Sequence, residues 1–420
     1  MKDSGLGPLP DGGRVVVIGG GPGGTSTAIA LKQGAISLGR NISVTIVEGK
    51  QFVNEQHHNQ CAGVLSPPIV DLIERRLQVP FPDHLCRNII TGYVLHTARR
   101  TVILEGETLL TISLRRVQFD AYMLAVARQW GVEVLPARVT GLEFHSNRLQ
   151  IYTESKPIEA DVVVGAFGLD EGTAALFEHT VRYHPPPALS SVVTKYHPGE
   201  AGMQGFGGRI HAFLPASPSI EFGAVTPKGN HLTINIAGTS VDAELMQAFL
   251  TAPEVQQTLP CLENVRRFNT NDLRFFKGRF PCGLAKNFSG DRFVMVGDAA
   301  GLVRAFKGKG VTSAILTGLR TAEVILHKGI SAEAFRAYHT ANRDITDDLN
   351  YGRAIRRLTI FASRHGFMDA VLTAAEQNRN LRRALFDAVS AQRPYREVIR
   401  AAFSPDSLLS ILKALLNPAI

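Results

Sequence analysis

Tryptophan is nearly missing from this chain: Trp130 is the only one in 420 residues. Cysteine is almost as scarce. Cys61, Cys86, Cys261 and Cys282 form no C-x-x-C pair, which argues against a zinc ribbon or a disulfide framework and for reduced thiols. No three or four ligand-type residues fall at metal-binding spacing, so no metal is expected. No run approaches the roughly 20 apolar residues of a membrane span. The segment MKDSGLGPLPDGG lacks the apolar core of a signal peptide. The expected location is therefore cytoplasmic, with contact to the inner membrane face left open. Internal repeats and low-complexity stretches are also absent.

What is present is an ordinary globular balance, 45% hydrophobic and 20% charged, with length for two or three domains. The net charge of +8 suits anionic cofactors or anionic lipid. Most of the excess is local: positions 351–420 hold 11 Lys and Arg against 5 Asp and Glu, or +6. Nucleic acid is not an expected partner.

The stretch RVVVIGGGPGGTSTAIAL opens with a β-branched run that reads as a strand buried on both faces. Gly19, Gly21 and Gly24 follow at G-x-G-x-x-G spacing and lead into a helical pattern. Such glycines allow a tight turn and close approach to a pyrophosphate, and the helix start offers free N–H groups. The motif alone is weak. Its context strengthens it, because a second strand, SVTIVEG, ends in Glu48, placed to accept hydrogen bonds from ribose hydroxyls.

A third strand, in DRFVMVGDAAGLV, ends in Gly297-Asp298, and FKGKGVTSAILTGLRTAEVIL runs on into a helix. The Asp298 carboxylate suits a sugar-like chain. Gly308 and Gly310 would let backbone N–H groups approach a ring edge, where the helix start favours negative charge.

These motifs together resemble the FAD-binding set of the p-hydroxybenzoate hydroxylase fold. The stretch LRRVQFDAYMLAVARQWGVEV is similar to that group's R-x-x-F-D helix. The resemblance implies that Arg116 contacts FAD, that Asp120 and Leu124 belong to its helix, and that Pro281 lies near the flavin. Hydroxylases of this fold carry an Asp-Gly pair after G-A. Here DVVVGAFGLDEG has Phe167 at that place, which counts against direct reduction by NADPH. The electron donor, whether NADPH, ferredoxin or another carrier protein, stays open.

The loop HHNQCAGVLSPP (57–68) resembles the C-G-G-G-L-S-P pattern of the geranylgeranyl reductase family, flavoenzymes that saturate prenyl double bonds. Cys61, Gly63, Leu65, Ser66 and Pro67 match, while Ala62 and Val64 replace glycines. The resemblance implies an apolar, prenyl-type substrate, with Phe213 and Pro215 in the substrate wall and Cys61 and His58 as candidate catalytic groups. Cys61 reads equally as a proton donor or as a small residue in a tight loop. His57 and His58 read as flavin neighbours or as a solvated pair. Lys307, with Lys309, reads as a site for an anionic substrate head or reduced flavin, or as solvated charge at a helix start.

The resulting expectation is an α/β chain with a Rossmann-like FAD-binding domain (12–80, 100–178 and 283–350). An antiparallel-sheet substrate domain (81–99 and 179–282) is inserted, and a C-terminal helical region (351–420) follows. Within the insert, LTINIAG alternates as a strand with one buried face. The basic tail helices could pack on the enzyme, rest on an anionic membrane, or both. Two other functions use the same fold. A flavin monooxygenase or halogenase is one, although the halogenase W-x-W-x-I-P signature is missing. An electron-transfer flavoprotein without its own substrate is the other, although no cysteine cluster is present for iron and sulfur.

Overall fold

The computed structural model describes residues 5–51, 61–105, 110–260, 273–304 and 310–416. In chain order, the elements used below begin with β1 (Arg14–Ile18), α1 (Pro22–Ser37), β2 (Ser43–Val47), β3 (Gly92–His96) and β4 (Thr101–Leu104). Then come α2 (Arg116–Gln129), β5 (Glu133–Leu135), β6 (Val162–Gly165), α3 (Glu171–Val181), β7 (Ala188–Tyr196) and β8 (Arg209–Phe213). The insert closes with β9 (Phe222–Lys228), β10 (His231–Gly238), α4 (Ala243–Thr251) and β11 (Phe276–Pro281). The last part holds β12 (Ser289–Gly290), β13 (Phe293–Met295), α5 (Gly310–His327), α6 (Arg343–Arg364), α7 (Phe367–Gln377), α8 (Arg379–Ser390), α9 (Tyr395–Ala402) and α10 (Pro405–Leu416).

Two sheets organise the molecule. The first runs β12-β13-β6-β1-β2-β5 and is parallel except for the β12–β13 edge. Val15 to Ile18 are buried on both faces, as a parallel strand between helix layers requires. Helices α1 and α5 pack together on this sheet. Along α1 the residues from Pro22 to Ile29 are all buried and mostly small, so the helix lies flush against its neighbours.

The second sheet runs β11-β7-β10-β9-β8-β3-β4. It is antiparallel except where β8 pairs with β3. Because β4 pairs with β3, this sheet extends to Leu104, past the boundary expected at 99. The helical tail likewise starts earlier than expected, with α6 at Arg343.

The alternation of LTINIAG is real, but both faces of β10 are buried, which corrects the half-buried expectation. Leu232, Ile234 and Ile236 pack with Phe249 and Leu250 of α4. Asn235, on the polar face, lines an internal cavity instead of meeting bulk water.

A histidine pair, His96 buried and His211 half-buried, sits between β3 and β8. His96 Nε2 and His211 Nδ1 are 2.8 Å apart, and His96 Nδ1 lies 3.1 Å from Thr101 Oγ1. Burial pulls both imidazoles down to about 4. The unfolded chain therefore takes up protons near pH 6.5 while the folded chain does not. Stability should fall as pH drops through that window, by on the order of 3 kcal/mol for each imidazole near pH 4. Urea midpoints measured across the window check this; midpoints that stay flat would contradict it.

Candidate active site

The first sheet ends and the second begins around a cavity of about 730 Å³, within the range of small-molecule and cofactor sites. One wall comes from positions where the chain stops being regular, the other from strands of the second sheet.

The turn from β1 into α1 supplies Gly19 and Gly21. Gly19 has φ +109°, and a Cβ there would lie 2.4 Å from the carbonyl oxygen of Ala166. Gly21 differs: its φ is −72°, and a Cβ would meet no atom of the protein within 4 Å. Its bare face looks into the cavity. Gly24 lies beneath, buried, at the contact of α1 with β1. These two strands and the turn also pin Glu48 at the end of β2. Its Oε2 accepts from Gly20 N–H at 2.8 Å and its Oε1 from Lys50 N–H at 2.7 Å. The carboxylate is thus oriented at the cavity wall with lone pairs to spare.

Arg116 opens α2 and lines the same space. Its guanidinium bonds the Asp120 carboxylate one turn on, with Nε to Oδ1 at 3.2 Å and Nη2 to Oδ1 at 3.1 Å. Burial works against the Arg116 charge, but Asp120, with help from Cys61 and Asp298, more than offsets it. Asp298 follows β13 at the turn into α5, beside Gly310. A Cβ on Gly310 would come within 3.0 Å of Asp298 Oδ1. Burial pushes the Asp298 carboxyl up from its ordinary value and Arg116 pulls it back.

Cys61, Ala62, Gly63 and Val64 also face the cavity. Gly63 has φ +66°, and a Cβ would sit 2.0 Å from the Leu114 carbonyl oxygen. The loop is tied down by Lys228, whose Nζ donates to the Cys61 carbonyl at 3.2 Å. That lysine is buried, and burial, reinforced by Lys195, Arg115 and Arg116, pulls its ammonium down to about 8. The position following β6 holds Phe167, stacked on Phe177 at 5.6 Å. It gives the cavity an apolar patch. Three residues on, the Asp170 carboxylate is engaged in capping α3, accepting from Thr173 N–H at 2.8 Å.

Of the residues singled out in the sequence, Gly19, Gly21, Glu48, Cys61, Arg116, Asp298 and Gly310 converge on this one cavity. Phe213 does not. It is buried on the opposite face of the second sheet, stacked on His96 at 4.5 Å and edge-on to Phe249 at 5.5 Å. Strand alternation explains the correction: on β8 it is Ile210 that lines the cavity, so Phe213, three residues later, points away. Pro215 is half-buried in the loop after β8 and is outside the cavity lining. His57, His58, Lys307, Gly308 and Lys309 lie outside the described residues. The sheet contributes groups that the sequence did not single out, namely Tyr93, Ser191, Thr226 and Asn235. The polar positions of alternating strands were their only signal. Among the described residues no cluster of three or more His, Cys, Asp or Glu is placed to hold a metal ion.

No family model matches the sequence. An uncharacterized protein of Methanosarcina barkeri is 21% identical over 323 residues, covering 74% of each chain. Among solved structures, a geranylgeranyl bacteriochlorophyll reductase-like protein from Thermoplasma acidophilum superposes with a TM-score of 0.68 at 16% identity, covering 97% of this chain and 100% of that one. A flavoprotein/dehydrogenase from Cytophaga hutchinsonii gives 0.69 at 16% identity, over 96% and 98%. The flavin-dependent brominase Bmp2 gives 0.65 at 17% identity, over 92% and 97%.

This is the FAD-binding flavoprotein fold. The cavity's own groups fit FAD independently of that likeness. The open side of Gly21 leaves room for a pyrophosphate at the start of α1, the fixed Glu48 carboxylate suits ribose hydroxyls, and Asp298 suits the ribityl chain.

Proposed function

We propose that the protein is an FAD-dependent oxidoreductase that reduces a carbon–carbon double bond in an isoprenoid or similarly apolar substrate. The observation that carries the reading is the cavity's second wall. Tyr93, Val193, Ile210, Phe222, Ala224 and Phe280 face it from the inserted sheet, an apolar stretch beside Ser191, Thr226 and Asn235 that suits a hydrocarbon with a polar end. Gly21, Glu48 and Asp298 would hold FAD along the facing wall; reduced by an external two-electron donor, it would supply hydride for one alkene carbon, and the second carbon needs a proton.

The chain's own tasks follow. The apolar wall positions the double bond and keeps water away. Arg116, with Lys228 close behind the Cys61 loop, favours negative charge in the cavity. Cys61 is the thiol placed to deliver the proton, its backbone fixed by Lys228. Phe167 in place of a carboxylate favours a donor other than NADPH, such as an electron-carrier protein.

The tail supports an apolar substrate taken from a membrane surface. Phe361, Phe403, Leu409, Leu412 and Leu416 are exposed on α6 and α9–α10, with Arg357, Arg364, Arg400 and Lys413 exposed among them. This pattern suits anionic lipid. No helix among the described residues is long and apolar enough to cross a membrane.

The test is anaerobic reoxidation of the dithionite-reduced holoprotein by prenyl compounds, quinones and oxygen. Reoxidation by prenyl compounds, with a product richer by one hydrogen molecule, is expected, and faster from anionic than from neutral vesicles. Cys61→Ala should slow that step about 100-fold, the scale of a lost general acid. A full rate would remove the thiol's role and leave hydride transfer standing. The likeness to a brominase keeps one rival: oxygen consumption coupled to a hydroxylated or halogenated product, with no alkene reduced, would install the oxygenase or halogenase reading in its place.

A further inference from the structure

A second cavity of about 330 Å³ lies between the inserted sheet and the C-terminal helices α6–α10. Leu95, Ala212 and Leu214 of the sheet region face Met368, Ala384 and Ala388 of the helices across it. The small side chains at 212, 384 and 388 are what leave the space. On β8, Ile210 lines the first cavity and Ala212 the second, so both open on the same face of the same sheet. Phe222 and Val389 line both and form the partition between them.

The charged groups that line this second cavity are already paired. Arg356 and Glu221 pair there bidentately, Nε to Oε2 at 2.5 Å and Nη2 to Oε1 at 2.6 Å. A ligand's polar head would find its obvious partners taken, whereas a hydrocarbon would find an apolar lining of the kind that stays dry and accepts apolar guests. At the far end Leu358, Phe361, Phe403 and Leu408 line the cavity and are at the same time 45 to 54% exposed. That gives the cavity an apolar rim at the surface.

We propose that this cavity holds the hydrocarbon chain of the substrate, entering past the rim and reaching the flavin cavity between Phe222 and Val389. The inference rests on the double-bond-reductase reading for the identity of the reacting end. The chain's residence in the cavity is tested separately from it.

Two holoprotein variants narrow the space, Ala388→Phe and Ala212→Leu, and neither residue lines the flavin cavity. Equilibrium dialysis of geranylgeraniol against the oxidised holoprotein gives binding without turnover. Reduction of geranylgeraniol and of the short alcohol prenol gives turnover. Either variant should weaken geranylgeraniol binding about tenfold and raise its half-saturating concentration equally, with prenol reduction and flavin content unchanged. Wild-type affinity for geranylgeraniol in both folded, flavin-loaded variants would overturn the proposal, as would equal losses for the long and short alcohols. If neither alcohol is reduced but geranylgeraniol binds and the variants abolish that binding, the cavity assignment stands and the reductase reading falls.

Discussion

Gly21→Ala is expected to lower FAD affinity by about 10- to 100-fold, some 1.4 to 2.7 kcal/mol, while leaving the stability of the flavin-free protein unchanged. Gly24→Ala is expected to damage both. The two glycines belong to one motif but answer to different neighbours. At Gly21 the backbone is in a region any residue adopts, and the added methyl meets no protein atom within 4 Å. The only thing it can displace is a ligand lying against the start of α1. At Gly24 the methyl would sit 1.9 Å from the Gly19 carbonyl oxygen and 3.1 Å from Val17 Cγ1. Backbone must then move, α1 lifts from β1, and the packed interior resists. The measurements are a flavin titration and a thermal melt of each apoprotein. A Gly21→Ala protein that binds FAD like the wild type would show that the pyrophosphate does not lie where the open face of Gly21 looks.

The contrast bears on how far sequence alone could go. The first sheet was legible because a strand covered on both faces is a continuous β-branched run, and its end is marked by glycine and a carboxylate. Glu48 and Asp298 were therefore visible at strand ends, whereas Arg116 was visible only through the resemblance of its stretch to the R-x-x-F-D helix. Phe213 was placed by resemblance alone, and resemblance at the level of a short motif does not fix which face of β8 meets the cavity. Lys228 was hidden for another reason. A lysine in a P-K-G turn looks solvated, and only the fold carries it under the Cys61 loop. The second cavity left no trace at all, since its alanines are separated by about 170 residues and none is unusual where it stands.

Arg116→Met should destabilise the protein by about 3 to 5 kcal/mol, the scale for breaking a buried ion pair from one side. The side chain of Asp120 is fully buried and that of Arg116 is 15% exposed. Methionine fills the space of the arginine stem but takes away the guanidinium that Asp120 now bonds. Adding Asp120→Asn removes the charge that Arg116 faces. The double variant should recover much of the loss, and a double-mutant cycle in urea would give a coupling above about 1 kcal/mol. Stability and cofactor binding then separate. Methionine and asparagine together restore the packing without restoring a cation to the cavity, so the double variant should fold well and still bind FAD about tenfold more weakly. Arg116→Lys should fall between, because an ammonium keeps the charge but cannot span a carboxylate bidentately. If the double variant binds FAD as the wild type does, Arg116 serves α2 alone, and the positive charge at the flavin site comes from the other cations that line the cavity, Lys50 and Arg138.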